Sequence, residues 1–344
     1  MRLRLACYIS IFVTLYIVGF SARLYPAGLK QKHSIHGKTM GTFYHIVIYT
    51  QKKVNAAHLK QKIDVQLNML NSQMSLYIKS SEISKFNKAC KGETIKVSRD
   101  FYKVMKQAKK LYLLTDGAWD GTIRVLLELW NFDRSTINAP DIPGEQQIKN
   151  LLGKTGFDNI IVADKQLIKK ISGLSLDLGS IAKGYGVDVV TRLLKGSGYK
   201  DFFVEIGGEV YVAGKKGYKK KWKLGIVNPK KNSLKPYKII KVSDKAVATS
   251  GTYLNFLKIN GKVYSHIINP KTGWPVDNKI ISVSVIAQNC MIADGLATGL
   301  MVMGRQKGID LVESLDNVEC MILIKNRNQP LEPFFSKGFV KYLY

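Results

Sequence analysis

Residues 201–213, DFFVEIGGEVYVA, contain two short runs of strand-forming residues on either side of a Gly-Gly pair. The aromatic and β-branched residues of 201–206 and 209–213 predict two strands. The same composition predicts two strands near the C-terminus and others near 42–50, 158–163, 166–171, 222–227, 237–242, 246–249, 252–259, 262–268 and 281–287. Short strands in such close succession are typical of meandering antiparallel sheets.

Predicted helices flank these strands. One amphipathic helix is indicated by apolar residues that recur every three or four positions, namely Leu59, Ile63, Leu67, Leu70 and Met74. Ser98 is a favourable N-cap for a second helix, and further helices are predicted at 145–152, 180–194, 290–303 and 306–314. The chain has no internal repeat and no long linker, so we predict a single α+β domain over 39–344, with antiparallel strands flanked by helices.

The N-terminus has the pattern of an export signal. Arg2 and Arg4 precede the uncharged, largely apolar stretch 5–22. A basic start followed by an apolar run is typical of a secretory signal, and the run is long enough for an uncleaved membrane anchor. We therefore predict a signal peptide or anchor helix over 1–22, a polar stem over 23–38, and a location outside the cytoplasm for the rest.

Charge is the unusual feature of the composition. The 344 residues carry a formal net charge of +28, which attracts anions. The lysines are spread along the chain, without a basic helix or an RNA-binding signature, so we predict a solvated basic surface and no nucleic-acid partner. The cysteines, Cys7, Cys90, Cys290 and Cys320, form no CxxC pair, which argues against a zinc site. If Cys7 is removed with the signal, the remaining three cysteines could form one disulfide with a free thiol or stay as three free thiols.

Several common catalytic signatures are absent from the sequence. There is no GxGxxG after a predicted strand, no GxxxxGK[ST], no HExxH and no GxSxG. The sequence therefore argues against a Rossmann dinucleotide site, a P-loop, a zinc protease and a hydrolase nucleophile elbow.

One candidate anion site lies at 177–185, DLGSIAKGY, where a predicted strand delivers Asp177 into a Gly turn and a helix begins. Free backbone N–H groups at a helix start favour an anion. Lys183, in the first turn, adds a charge suited to phosphate, although the helix dipole prefers acids at that end. The alternative is that Asp177 is a simple cap and that Lys183 is exposed to solvent.

One candidate metal site lies on the helix predicted at 290–303. Asp294 and Thr298 are four residues apart and share one helix face. A carboxylate and a hydroxyl on an otherwise apolar face present hard oxygens that suit Mg²⁺. The alternative is that Asp294 caps the helix and Thr298 bonds to a carbonyl of its own helix.

His266 ends a predicted strand and precedes the turn-rich run 267–275, IINPKTGWP. Histidine acts as a general base near neutral pH. The alternative is a structural histidine bonded to the turn.

A further candidate is Trp119, which is flanked by Asp116 and Asp120 in a loop. An aromatic ring in such a loop suits a flat heteroaromatic ligand. The alternative is a helix C-cap followed by a core tryptophan.

Together and in order, these segments resemble the ApbE family of FAD:protein FMN transferases. The resemblance runs from about residue 35 nearly to the C-terminus through 40–42, 74–77, 81–87, 117–120, 129–132, 177–184, 205–209, 248–251, 266–275 and 293–298. It implies FAD contacts from Met40, Tyr77, Ala118, Trp119, Asp120, Asp177, Lys183 and the backbone of Ile268. It also implies that Mg²⁺ is held by the carbonyl of Ser180 and by Asp294 and Thr298.

The implied reaction transfers FMN from FAD to a Thr or Ser hydroxyl of an exported or membrane-bound electron-transfer protein and releases AMP. His266 is expected to accept the proton of that hydroxyl. The implied location is the periplasmic side of the bacterial inner membrane, with the N-terminal helix as the membrane contact. Two alternatives keep the same site: an Mg²⁺-dependent FAD pyrophosphatase, with water as acceptor, and a non-catalytic FAD-binding protein.

The sequence departs from the family pattern at a few positions. Ser180 and Gly186 stand where the family more often has Gly and Ala, and Trp119 replaces a usual Phe. Thr252 and Asn269 occupy places where Asp is common. The first three changes conserve a backbone carbonyl, a small residue and an aromatic ring, whereas the last two lower the local negative charge.

Overall fold

A large antiparallel sheet organises the fold. The computed structural model describes residues 30–132, 141–217, 220–229, 233, 235–253, 256–326 and 329–344. The strands in this part of the chain are β1 (Gln31–Thr39), β2 (Thr42–Thr50), β3 (Thr94–Lys96), β4 (Ile160–Ala163), β5 (Gln166–Lys169), β6 (Asp201–Ile206), β7 (Glu209–Ala213), β8 (Trp222–Ile226), β9 (Lys238–Val242), β10 (Lys245–Gly251), β11 (Phe256–Ile259), β12 (Lys262–Ser265), β13 (Ile280–Ala287), β14 (Glu319–Lys325) and β15 (Leu331–Phe335). Among the described residues, the main sheet has eight strands in the order β1-β2-β6-β7-β10-β13-β14-β15.

Helices cover one face of this sheet. The described helices are α1 (Ala56–Met74), α2 (Glu82–Lys88), α3 (Arg99–Leu114), α4 (Arg124–Leu129), α5 (Glu145–Leu152), α6 (Gly179–Gly196), α7 (Cys290–Met303) and α8 (Arg305–Glu313). Of these, α4 and α5 pack in a separate core with β11 and β12. The strand residues Tyr44, Ile46 and Ile48 are buried in the main core together with apolar residues of α1, α3, α6 and α7. Val47 faces the other way, into a second core with Trp222 of β8. Because both faces of β2 are covered, its sequence is nearly continuously apolar.

The sequence predicts most of these elements correctly. The bounds predicted for β2, β6, β7, α5 and α7 match those observed, and Ser98 caps α3 by accepting a hydrogen bond from the N–H of Phe101. The α+β class with antiparallel strands flanked by helices is confirmed. The strands predicted at 252–259 and 262–268 are shorter than expected, and the strand predicted before Asp177 is only an isolated bridge at Ser175. The elements α2, α4 and β3 were not predicted.

The N-terminal part of the described chain differs from the prediction. Residues 31–38, predicted as part of a polar stem, form most of β1 and pair with β2 over its whole length. The error has a physical cause: β1 is an edge strand in which Ile35 and Thr39 are buried and most other side chains are not, so its sequence is that of a hydrophilic segment. The signal or anchor predicted over 1–22, and the first part of the stem, lie outside the described residues. No helix in the described ranges is long and apolar enough to cross a membrane.

Candidate active site

The start of α6 is fixed by Asp177. The N–H of Asp177 donates to the carbonyl of Gly121 at 2.8 Å, and its Oδ1 accepts a hydrogen bond from the N–H of Gly179 at 2.7 Å. Asp177 therefore orders the first turn of the helix, as the capping alternative expects. A role in FAD binding stays a prediction.

Lys183 lies between two carboxylates. Its Nζ donates to the carbonyl of Gly179 at 3.1 Å and lies 3.5 Å from Oε1 of Glu209 and 4.0 Å from Oδ1 of Asp294. Burial favours the neutral amine, but the two carboxylates outweigh burial and raise the pKa of Lys183 above its usual value. Its side chain is 28% exposed, so the alternative of a freely solvated lysine is wrong. Lys183 is a permanent positive charge at a helix start, where anions bind.

Asp294 and Thr298 occupy the same face of α7, as their spacing predicts. Asp294 is 2% exposed, and its Oδ2 accepts a hydrogen bond from the N–H of Gly184 at 2.9 Å. Burial raises the pKa of Asp294, while Lys183 and the Gly184 N–H oppose the rise. One turn further, Oγ1 of Thr298 lies 2.9 Å from Oγ of Ser250 on β10. Neither side chain takes the structural role that the alternative assigned to it.

Glu209 completes this group of charges, and sequence reasoning did not select it as a site residue. It is 5% exposed, and its Oε2 is buried without a hydrogen-bond partner among the described residues. Burial and the nearby Asp294 raise the pKa of Glu209, and Lys183 opposes the rise. The sequence feature that could have identified Glu209 is its position directly after Gly207 and Gly208 in the 205–209 segment.

Two contacts fix α6 against α7. A Cβ on Gly184 would lie 2.4 Å from the carbonyl oxygen of Cys290, so the helices approach here more closely than any other residue allows. The carboxylate of Asp188 accepts hydrogen bonds from the N–H groups of Cys290 and Met291, at 2.8 and 3.0 Å. These contacts set the distance between Lys183 and Asp294.

Trp119 connects the 116–120 loop to α6. Its indole ring is 1% exposed, and Nε1 donates to Oγ of Ser180 at 3.0 Å. The side chain is thus a core tryptophan after a helix end, as the alternative expects, and it does not present an open stacking face. FAD contacts from Ala118 and Trp119, both buried, and a metal contact from the Ser180 carbonyl stay predictions.

A cavity of about 360 Å³ lies beside this loop. It is lined by residues of the 116–120 loop, including Asp116 and Asp120, and by Pro270 and Lys271 of the turn that follows His266. Nζ of Lys271 donates to Asp116 at 2.5 Å, which joins the two segments and holds the pKa of Asp116 below its usual value. The volume is in the range of small-molecule sites.

The turn after His266 is anchored on Trp130. Nε1 of Trp130 donates to the carbonyl of Gly273 at 2.9 Å, and its ring lies 5.2 Å from that of Trp274. Ile268 is 1% exposed and pairs with Pro275 across the turn. His266 itself is half-buried directly after β12. Its catalytic role is not tested by these contacts.

The remaining predicted FAD contacts lie at surface turns. Met40 has a φ of 49° in the turn between β1 and β2, and a Cβ on Gly186 of α6 would lie 3.1 Å from its Cε. Tyr77 follows α1 and is 89% exposed. Met40 is therefore placed against α6, whereas no contact joins Tyr77 to the buried cluster among the described residues.

Asp120 provides a prediction on stability. It is 7% exposed, and burial raises its pKa from 3.8 to about 6, although hydrogen bonds from Thr122 oppose the rise. The folded protein holds this proton at a pH where the unfolded chain has lost it, so stability falls as pH rises from about 4 to about 6. Asp120→Asn cannot lose this proton, so it should avoid a loss of up to about 3 kcal/mol in the free energy of unfolding.

Urea unfolding of the wild type and Asp120→Asn at pH 4 and pH 7 measures this effect. The free energy of unfolding of the variant, relative to that of the wild type, should be higher at pH 7 than at pH 4. Asp310→Asn, exposed on α8, controls for the loss of one carboxylate. An equal difference between variant and wild type at both pH values would contradict the shifted pKa.

The cysteines and the usual metal-ligand side chains do not form a cluster in the described part of the chain. Cys90, Cys290 and Cys320 are free thiols, which resolves the cysteine alternatives for the described chain. In the same ranges, no group of three or more His, Cys, Asp or Glu side chains is arranged to hold a metal. The candidate ligand set therefore depends on Asp294 with a hydroxyl and a carbonyl.

Two known proteins with similar sequences are FAD:protein FMN transferases. The chain is 37% identical to an FAD:protein FMN transferase of Vibrio cholerae serotype O1 over 334 residues, which cover 94% of this chain and 99% of the relative. It is 34% identical to an FAD:protein FMN transferase of Haemophilus influenzae over 303 residues, covering 86% of this chain and 87% of the relative.

Solved structures show the same fold. The flavin transferase ApbE from Vibrio cholerae superposes with a TM-score of 0.82 at 35% identity, covering 91% of this chain and 100% of that one. The flavinyl transferase ApbE from Pseudomonas stutzeri gives 0.82 at 28% identity, with 92% and 98% coverage. The sequence model of the ApbE family matches residues 40–322. The chain therefore belongs to the ApbE family of transferases.

Proposed function

We propose that this chain transfers the FMN part of FAD to a Thr or Ser hydroxyl of another protein and releases AMP, with Mg²⁺ bound at the site. The observation that carries the proposal is the buried cluster in which Lys183 lies 3.5 Å from Glu209 and 4.0 Å from Asp294 at the start of α6. The related proteins described above are named for this transfer.

The chemistry requires positive charge next to a pyrophosphate. The acceptor hydroxyl oxygen forms a bond to the FMN phosphorus, the bond from that phosphorus to the bridging oxygen breaks, and AMP leaves. Lys183, in the first turns of α6, stabilises the charge on the phosphate oxygens. His266 takes the proton of the attacking hydroxyl.

The residues present fit a magnesium ion. Two buried carboxyl groups face a single ammonium, and one buried carboxylate oxygen has no partner among the described residues, so the cluster has capacity for a further cation. Asp294, the Thr298 hydroxyl and the Ser180 carbonyl would hold it through hard oxygens. The ion would add positive charge at the phosphates.

FAD would be held by the residues that the family resemblance selects. These are Met40, Tyr77, Ala118, Trp119, Asp120, Asp177, Lys183 and the backbone of Ile268. The 360 Å³ cavity beside Asp120 is of a size to receive a heteroaromatic ring. We further propose export of the domain to the periplasmic side of the inner membrane, by residues 1–22 as signal or anchor, and an exported electron-transfer protein as acceptor.

Mass spectrometry of an acceptor tests the proposed function. The purified domain is incubated with FAD, Mg²⁺ and a candidate electron-transfer domain that carries an accessible Thr. A gain in acceptor mass equal to covalently bound FMN, absent when EDTA is present, is the expected result. Free FMN and AMP without a modified acceptor would instead indicate the pyrophosphatase alternative, and bound FAD without any product would indicate a flavin-binding protein.

His266 provides a prediction on the rate. His266→Ala should lower the rate of transfer by about a hundredfold or more, because it removes the proposed proton acceptor. FAD affinity, measured by flavin fluorescence, should change little. His58→Ala, exposed on α1, is the matched control. Undiminished transfer by His266→Ala would reject the role.

A further inference from the structure

The proposed reaction leaves Glu209 without a role, although this residue belongs to the buried cluster. Its Oε1 lies 3.5 Å from Nζ of Lys183, and its Oε2 has no hydrogen-bond partner among the described residues. A buried acceptor without a partner destabilises a protein. A buried glutamate that faces a functional lysine with one oxygen and leaves the other unpaired therefore requires an explanation.

Lys183 is shared between two carboxylates. Its Nζ lies 4.0 Å from Asp294 and 3.5 Å from Glu209. Asp294 is also the side chain that would bind the divalent cation, so the cation and the ammonium compete for one carboxylate. Two positive charges at such distances repel strongly at low dielectric. Both can remain in the site only if a second carboxylate balances the charge of Lys183.

We propose that Glu209 is a positioning residue that holds Lys183 away from Asp294, so that Asp294 can bind the divalent cation while Lys183 stays next to the phosphates. The inference rests on the proposed function for the identity of the cation. Oε2 of Glu209 supplies the vacant acceptor position that Lys183 needs when Asp294 is engaged.

The backbone is built to place Glu209 there. Gly207, with a φ of 62°, forms the turn before β7. A Cβ on Gly207 would lie 2.8 Å from Cγ2 of Thr42 and 3.3 Å from Cδ of Lys183. The turn therefore passes directly over the Lys183 side chain, and Glu209 follows two residues later at the start of β7.

A double-mutant cycle on cation binding tests the proposal. The affinity for Mn²⁺, a spectroscopic substitute for Mg²⁺, is measured by electron paramagnetic resonance without FAD or acceptor. The variants are Glu209→Gln, Lys183→Met and the double variant. Glu209→Gln should weaken Mn²⁺ binding roughly tenfold, because Lys183 then turns to Asp294. In the Lys183→Met background the same change should have less than about a twofold effect.

Equal weakening in both backgrounds would overturn the proposal, because Glu209 would then act on the cation directly. No weakening by Glu209→Gln, or no Mn²⁺ binding by the wild type, would also overturn it. Glu205→Gln, on the preceding strand, is the matched control and should bind Mn²⁺ as the wild type does. If Glu209→Gln fails to fold, Glu209→Asp, with its carboxylate withdrawn by one methylene, enters the same cycle.

The result is independent of the transfer assay. Mn²⁺ binding is read without turnover, whereas FMN transfer is measured separately on the wild type. A cycle that follows the expectation in a protein without transfer activity would reject the proposed function and leave the positioning role of Glu209 intact.

Discussion

Replacing Asp294 with asparagine should lower the rate of FMN transfer by about a thousandfold. The amide keeps the size of the side chain and an oxygen to accept the hydrogen bond from the N–H of Gly184, now 2.9 Å from Oδ2. It removes the charge that would bind the cation and that faces Lys183 at 4.0 Å. Activity should fall without loss of the fold.

Measuring the stability of this variant distinguishes a loss of catalysis from a loss of folded protein. Asp294 is 2% exposed, and burial opposes its ionised form, so a neutral amide should fold at least as stably. Transfer is followed by acceptor mass, and folding by urea unfolding. Asp310→Asn, exposed on α8, should keep full activity. More than about a tenth of wild-type transfer by Asp294→Asn would show that its charge is not needed for the reaction.

The second large effect concerns the contact between α6 and α7. Gly184→Ala should destabilise the protein by about 3 kcal/mol, because its Cβ would meet backbone that cannot turn aside. That Cβ would lie 2.4 Å from the Cys290 carbonyl oxygen and 2.8 Å from Cβ of Asp294. Separation of the two helices should also move Asp294 away from Lys183, so transfer should fall even in the molecules that fold.

Gly196→Ala is the control for the same helix. A Cβ at Gly196, the last residue of α6, would meet no atom within 4 Å. This change should be neutral or stabilise slightly, since it removes only the backbone freedom of glycine. Urea unfolding compares the two variants. A Gly184→Ala protein as stable as Gly196→Ala would contradict the close helix contact.

The fold could be predicted where an element is buried over most of its length. α7 and β2 are buried over most of their length, so their apolar sequences define them and their bounds agree with the prediction. β1 could not be predicted in this way, because an edge strand with few buried side chains has the composition of a loop. Its strand state depends on pairing with β2, a tertiary contact.

The site was also predictable only in part, because some of its residues are brought together by tertiary contacts. The shared face of Asp294 and Thr298 follows from helix geometry, and the structure confirms it. Lys183 contradicts the dipole preference at a helix start, and its two carboxylate neighbours explain why it is tolerated there. Glu209 comes from a strand that the sequence does not link to α7. Its burial beside Lys183 depends on strand order, which local patterns do not contain.

The most direct test of the central claim is the ratio of products over a time course. The domain is incubated with FAD, Mg²⁺ and an acceptor protein, and AMP and covalently modified acceptor are quantified in the same samples. A transferase built on the Lys183 and Asp294 cluster should release one AMP for each acceptor modified, and both products should disappear together in Asp294→Asn. AMP formed without modified acceptor, or modification that persists in Asp294→Asn, would contradict the account.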